Sequence, residues 1–160
     1  MTLKYSRILV AIDGSKQAEW AYRKSLDIAL RNSAVLNLVT VINNQSFGMV
    51  EAYDRNSAKK AKITAKELMQ KYKAQAESAG VEQVNVFIEY GIPKQMIPRV
   101  MAEQTEADLI VCGATGLTGA ERIIMGSISQ SIVRHAKCDV LVVRTEEEAK
   151  MNDMAKEALL

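Results

Sequence analysis

The chain has 160 residues, 48% of them hydrophobic and 25% charged, and its 21 basic and 19 acidic residues leave a formal net charge of +2. That length suits one domain with one core, able to bury about 70% of the surface of its unfolded form. The composition excludes a disordered chain, and the near-neutral balance excludes a global field strong enough to select nucleic acid or an anionic membrane as partner.

The opening residues, Met1-Thr2-Leu3-Lys4-Tyr5-Ser6-Arg7, lead into a short apolar run with no signal-peptide pattern. No apolar stretch approaches the roughly 18 residues that a membrane span needs. A cytoplasmic location is expected.

Ile8-Leu9-Val10-Ala11-Ile12, closed by Asp13-Gly14-Ser15, reads as a first strand buried on both faces and followed by a turn. Ser15 can cap the next segment, where Ala18, Ala21, Tyr22, Ser25, Leu26, Ala29 and Leu30 recur at helical spacing. A second strand covers Val35 to Val41, and an irregular stretch from Ile42 to about Asp54, containing Gly48, reads as a long loop beside a ligand or free to move. From Ser57 to Ser78 the pattern is helical, with Ala61, Ala65, Leu68, Met69 and Tyr72 on one face and Lys59, Lys60, Lys66 and Lys73 on a solvated one.

Val84 to Ile88 gives a third strand, Gly91 a break, and Met96, Ile97, Val100 and Met101 a third helical face. Pro98 falls inside it, so either regular helix begins near Pro98 or the segment from Pro93 is bent. Ala107 to Cys112 is the fourth strand and Asp139 to Val143 the fifth, with a short helix starting near Ser127 between them. Strands alternating with helices specify an α/β fold, a parallel sheet with helices on both faces. The charged end of the chain, 146–160, is helix-permissive and could pack, swap onto a partner or fray.

Cys112 and Cys138 stand apart with no CxxC, and His135 is the only histidine, which argues against structural zinc and for inert buried thiols. Chemistry concentrates after the fourth strand. Gly113-Ala114-Thr115-Gly116 is followed by Gly119, and Gly126-Ser127-Ile128-Ser129 opens the next helix. Glycines let backbone amides approach an anion closely, and a helix N-terminus adds free N–H groups and partial positive charge. Ser127 and Ser129 are either phosphate donors or helix caps, and Asp13 is either a ligand residue or part of an Asp-Gly turn. No Gly-Lys-Ser or Gly-Lys-Thr follows the glycines, so this is not a P-loop, and a dinucleotide fingerprint would follow the first strand rather than the fourth.

Gly113-x-x-Gly116, nine residues, then Gly126-Ser127 resembles the ATP-binding motif of the universal stress protein family. ILVAIDGS at 8–15 resembles that family's first strand and turn, and GSISQSIVRHAKCDVLVVR at 126–144 its last helix and strand. The resemblance spans about 5–145 and implies an open five-stranded parallel sheet of order 3-2-1-4-5, the adenine nucleotide α-hydrolase-like fold. By matching positions it implies ATP as ligand, with Mg²⁺ or Mn²⁺: Ala11 and Asp13 at the crevice, Asp13 near the ribose or the metal, Val41 toward adenine, and Gly113, Thr115, Gly116, Gly126, Ser127, Ile128 and Ser129 around ribose and triphosphate. Arg122 is a candidate cation over the phosphates, and Glu121 a distant second carboxylate. The resemblance further implies a homodimer through the last strand, Val140 to Val143.

Three functions fit these residues: a nucleotide-dependent stress regulator with absent or slow hydrolysis, an ATPase or phosphotransferase, and a dimeric interaction protein with a vestigial pocket.

Overall fold

The computed structural model describes residues 3–43, 51–116 and 125–159, without the side chains of 51–55, 148, 149, 151, 152 and 155. Gly48, Gly119, Glu121 and Arg122 lie outside the described residues, and so does the side chain of Met151. In chain order the elements are β1 (Arg7–Ala11), α1 (Lys16–Asn32), β2 (Val35–Asn43), α2 (Glu51–Ala79) and β3 (Val84–Gly91). The helical segment α3 covers 93–104, and β4 (Leu109–Gly113), α4 (Ser127–His135), β5 (Asp139–Val143) and α5 (Glu146–Ala158) complete the chain.

The five strands form one parallel sheet in the order β3-β2-β1-β4-β5. Ile8 pairs with Leu36 on one side and Leu109 on the other, which places β1 at the centre. Two apolar layers enclose the sheet. On one face Ile8, Val10 and Leu36 pack with Tyr22 of α1 and with Met69 and Tyr72 of α2. On the other, Leu9 and Ile110 pack with Ile97 and Met101 of α3 and Ile132 of α4. The Tyr22 and Tyr72 rings stack 4.2 Å apart, and the Tyr22 hydroxyl donates to the Tyr72 carbonyl at 2.8 Å.

Three local expectations change. The long loop is shorter than its lack of period suggested: β2 pairs with β3 as far as Asn43 opposite Gly91, and α2 begins at Glu51 instead of Ser57. β4 begins at Leu109 because the backbone of Asp108 is held at the preceding corner, its N–H donating to the Arg7 carbonyl and its carboxylate accepting from Ser6 and Arg7 N–H. In α3, a π-helical turn at Met96–Met101 carries Pro98 between α-helical ends, Pro93–Gln95 and Ala102–Gln104. Pro98 has no N–H for the Lys94 carbonyl, its α-helical partner, and the wider π turn keeps the ring clear of it. That carbonyl accepts the Ser131 hydroxyl of α4 at 2.6 Å instead, which ties α4 to α3.

Cys112 is buried, which pushes its thiol up to about 12. Burial, followed by the nearby carboxylates of Asp108 and Asp139, also raises the Cys138 thiol, and burial raises the Tyr22 phenol to about 12. These groups keep their protons in the folded state at pH values where the unfolded chain releases them, near 9 for a thiol and 10 for a phenol. Stability present below pH 9 should therefore be lost as pH rises toward 12. Denaturant midpoints from pH 8 to pH 11 should fall steadily, and iodoacetamide at pH 8 should label Cys112 only as the protein unfolds. A flat midpoint or rapid native labelling would contradict this placement.

Candidate functional site: a cleft at the carboxyl edge of the sheet

β1 feeds α1 on one face of the sheet and β4 leads toward α4 on the other, so a crevice opens between their carboxyl ends. It holds a cavity of 720 Å³ whose walls include all ten residues singled out from the sequence: Ala11, Asp13, Val41, Gly113, Thr115, Gly116, Gly126, Ser127, Ile128 and Ser129. Three distant segments meet there.

Each is anchored by local chemistry. The Ile12 N–H donates to the Val39 carbonyl at 2.8 Å, ending β1 against β2. Asp13 Oδ1 accepts the Ser15 N–H at 2.9 Å, and Ser15 Oγ, in turn, accepts the Ala18 N–H at 3.1 Å as the N-cap of α1. Gly14, at φ +83°, makes the turn between them in the left-handed region that favours glycine. The turn reading of Asp13 is thus satisfied by one carboxylate oxygen, and Oδ2 remains on the side of Gly116.

The Ala114 carbonyl closes the glycine loop by accepting both the Gly126 N–H and Ser129 Oγ, each at 2.8 Å. Ser129 is buried and its hydroxyl also lies 2.9 Å from the Gly126 carbonyl, so that hydroxyl braces the loop. Gly126 is the N-cap of α4, in extended conformation and without a side-chain cap. Ser127 is not the cap and exposes its side chain at the first helical position. Gln130 N–H makes the first helical bond, to the Gly126 carbonyl, which leaves the amides of Ser127, Ile128 and Ser129 without helical acceptors.

Gly113 and Gly116 are glycines for different reasons. A Cβ at Gly113 would stand 3.0 Å from Gln17 Cβ and 3.1 Å from the Gln17 carbonyl carbon, where α1 presses on β4. One at Gly116 would stand 3.0 Å from Asp13 Oδ2, across the cleft mouth.

The far wall comes from α2 and was not singled out from the sequence as a site: Ala61, Thr64, Ala65 and Leu68 line it, with Thr40 and Asn43 at the end of β2. Ala61 and Ala65 repeat at four-residue spacing, which brings two small side chains to the same side of the helix and leaves room beside it. Among the described lining residues Asp13 is the only one that carries a charge at neutral pH. Among the described residues no group of three or more His, Cys, Asp or Glu side chains could hold a metal. His135 sits in the last turn of α4 with Nδ1 3.0 Å from the Ser131 carbonyl. With the Ser131 hydroxyl 3.3 Å from the same nitrogen, the ring is tied to the end of the helix.

A parallel sheet of this order with a cleft at its switch point defines a doubly wound α/β protein of the adenine nucleotide α-hydrolase-like kind. The model of the universal stress protein family matches residues 4–144, and the chain belongs to that family. It is 48% identical over 145 residues, 91% of this chain and 87% of the relative, to a protein of Staphylococcus saprophyticus assigned to the universal stress proteins. Among solved structures it is similar to the universal stress protein UspA from Lactobacillus plantarum, with TM-score 0.83, 30% identity, and coverage of 89% of this chain and 100% of that one. The hypothetical protein MJ0577 gives TM-score 0.80 and 28% identity over 90% of this chain and 99% of its own. A universal stress protein in complex with cAMP shares the fold at TM-score 0.64 and 24% identity, covering 89% of this chain and 98% of that one. Among the described residues, no helix is long and apolar enough to cross a membrane.

Proposed function

We propose that this protein binds ATP in the cleft and acts as a nucleotide-dependent regulator or sensor in a stress response, with hydrolysis absent or slow. The observation that carries the reading is the convergence of an apolar wall, a glycine loop and the open amides of α4 on one cavity at the sheet's switch point. Adenine would lie toward Val41 and the small residues of α2. Ribose and phosphates would run past Gly113, Thr115 and Gly116 to Gly126, Ser127, Ile128 and Ser129. Ser129 would contribute its backbone amide, since its hydroxyl is engaged.

Mg²⁺ or Mn²⁺ fits this donor set through the Asp13 carboxylate, with phosphate oxygens and water completing the shell in the usual manner of ions that accompany nucleotides. Such an ion would neutralise phosphate charge; Asp13 would also hold the first turn through Ser15.

Fast hydrolysis needs a placed base, metal ligands and a cation for the developing charge. Asp13 is the only carboxylate among the described lining residues and would already serve the metal. Nucleotide-stripped protein mixed with ATP and Mg²⁺ should therefore retain bound ATP with little ADP formed over many minutes. Multiple turnovers abolished by Asp13→Ala would overturn the regulator reading in favour of an ATPase or phosphotransferase. With cAMP beside ATP in the same assay, tighter retention of cAMP would redirect the proposal to cyclic nucleotides.

A homodimer through Val140 to Val143 is proposed with it. β5 is an edge strand whose Val140, Leu141 and Val142 are half-buried, and an apolar edge of this kind is normally covered by another strand or chain. Sedimentation should give twice the mass of 17.7 kDa at micromolar concentration, and a monomer under those conditions would contradict the pairing.

A further inference from the structure

We infer that the opposite edge of the sheet, β3 beneath the lysine row of α2, is a docking site for an extended acidic segment of a partner protein, added to the sheet as a sixth strand. β3 stands at the end of the strand order with eight residues, Val84–Gly91. Leu36 pairs with Val84 and donates its N–H to the Gln83 carbonyl. In a parallel ladder, alternate residues of a strand turn both backbone groups to the same side. Gln83, Asn85, Phe87 and Glu89 therefore face β2, and Val84, Val86, Ile88 and Tyr90 present N–H and C=O outward.

A shallow groove of 560 Å³ runs along this edge between β3 and Lys62, Lys66, Gln70 and Lys73 of α2. Their spacing of four, four and three residues sets them in one row along the helix. Among the described residues no carboxylate lines the groove. Glu89 alternates with Ile88, placing it on the sheet face of Phe87, which packs with the α3 layer, while Val86 and Ile88 pack with the α2 layer. Lys62 lies 5.9 Å from the Tyr90 ring centroid, and the Lys73 to Glu77 ion pair, at 3.8 Å on the surface, holds Lys73 only weakly.

Strand addition supplies affinity through the backbone and selectivity through alternate side chains. A strand laid on β3 turns every second side chain toward α2, about 6.7 Å apart. Lys62 and Lys66 are about 6 Å apart along the helix axis. Acidic residues at alternate positions match that pair. Lysines usually discourage strand addition when they sit on the edge strand itself; here they stand above an edge whose outward positions are Val84, Val86, Ile88 and Tyr90, so they repel basic strands and attract acidic ones.

The test uses the full chain at low salt with a fluorescent octapeptide of alternating Glu and Thr, read by anisotropy and by hydrogen exchange. The peptide should bind, slow the exchange of the Val86 and Ile88 amides, and lose about tenfold in affinity when its edge-facing amides are N-methylated without change of charge. Lys62→Glu with Lys66→Glu, both on the exposed row, should weaken binding similarly, and an alternating Lys and Thr peptide should not bind. No binding at millimolar peptide, equal binding of the methylated peptide, or unchanged exchange at β3 would overturn the proposal, the last two leaving only charge adsorption. A dT octanucleotide that protects the same amides as strongly would also overturn it, in favour of a polyanion surface. These readouts do not involve ATP, so their failure leaves the cleft assignment untouched.

Discussion

Gly116→Leu should lose ATP binding by about 100-fold or more, equivalent to about 2.7 kcal/mol, while keeping a folded domain. The space it takes is at the cleft mouth, where even a Cβ would come within 3.0 Å of Asp13 Oδ2. Among the described glycines positive φ occurs at Gly14, Gly80 and Gly91 and not at Gly116, so the Gly116 backbone accepts a side chain without left-handed strain. A leucine there would obstruct the path from the Asp13 turn to the amides of α4 and push on the carboxylate proposed for the metal. Gly116→Ala should give an intermediate loss. Gly113→Leu forms the contrast: its side chain would meet the backbone of Gln17 at 3.1 Å and 3.2 Å, so it should destabilise the whole domain. Calorimetry on the Gly116 variants, with circular dichroism for the fold, checks both statements. Undiminished binding in a folded Gly116→Leu protein would remove the phosphates from this loop.

Ile110→Ala is expected to cost about 3 kcal/mol of stability, within the range for truncating a fully buried isoleucine, and to lower Tm by on the order of 10 °C. Ile110 has no exposed surface, pairs with Leu9 and Val140 in β4, and packs in the layer that includes Ile97, Met101 and Ile132. Its neighbours are held by the sheet and by two helices and can collapse only partly into the gap. Val133→Ala is the control: Val133 is 51% exposed, and its loss should be within about 0.5 kcal/mol of helix propensity and surface packing. Equal losses at the two positions would show that the layer beneath α3 and α4 is not the core described above.

The sheet was legible because its strands are short, largely apolar runs, mostly buried in β1 and β4 and half-buried at the edges in β3 and β5, and Asp13, Gly113 and Arg144 mark where three of those runs stop. The ends of such strands are also where the cleft lies, so the residues that the resemblance assigned near the ends of strands one, two and four line one cavity. Less legible were features that depend on what a helix meets. Ala61, Ala65, Leu68, Met69 and Tyr72 follow one apolar period, yet Ala61 and Ala65 line the cleft, Tyr72 lies in the core, and Leu68 and Met69 between them touch both. Periodicity identifies a face; how far along its length the sheet reaches is a tertiary fact. The start of α2 at Glu51 was hidden because its first residues carry no apolar period. Serines near a helix start suggest caps, but Gly126 takes that position and Ser129 turns inward to the Ala114 carbonyl. Pro98 left two readings open, and the helical run at 93–104, with a π turn around the proline, excludes a helix that begins only near Pro98. The family's site residues were legible only through the resemblance, since a glycine loop alone is also an ordinary turn.

The most direct test of the ATP assignment is a calorimetric titration of nucleotide-stripped protein with ATP and Mg²⁺, with thermal unfolding followed in parallel. Binding with Kd of about 1–100 μM, roughly −8 to −5.5 kcal/mol, and a rise in Tm with ATP concentration is the predicted result. No heat together with no ATP-dependent shift in Tm would contradict it and leave a dimeric interaction protein with a vestigial pocket.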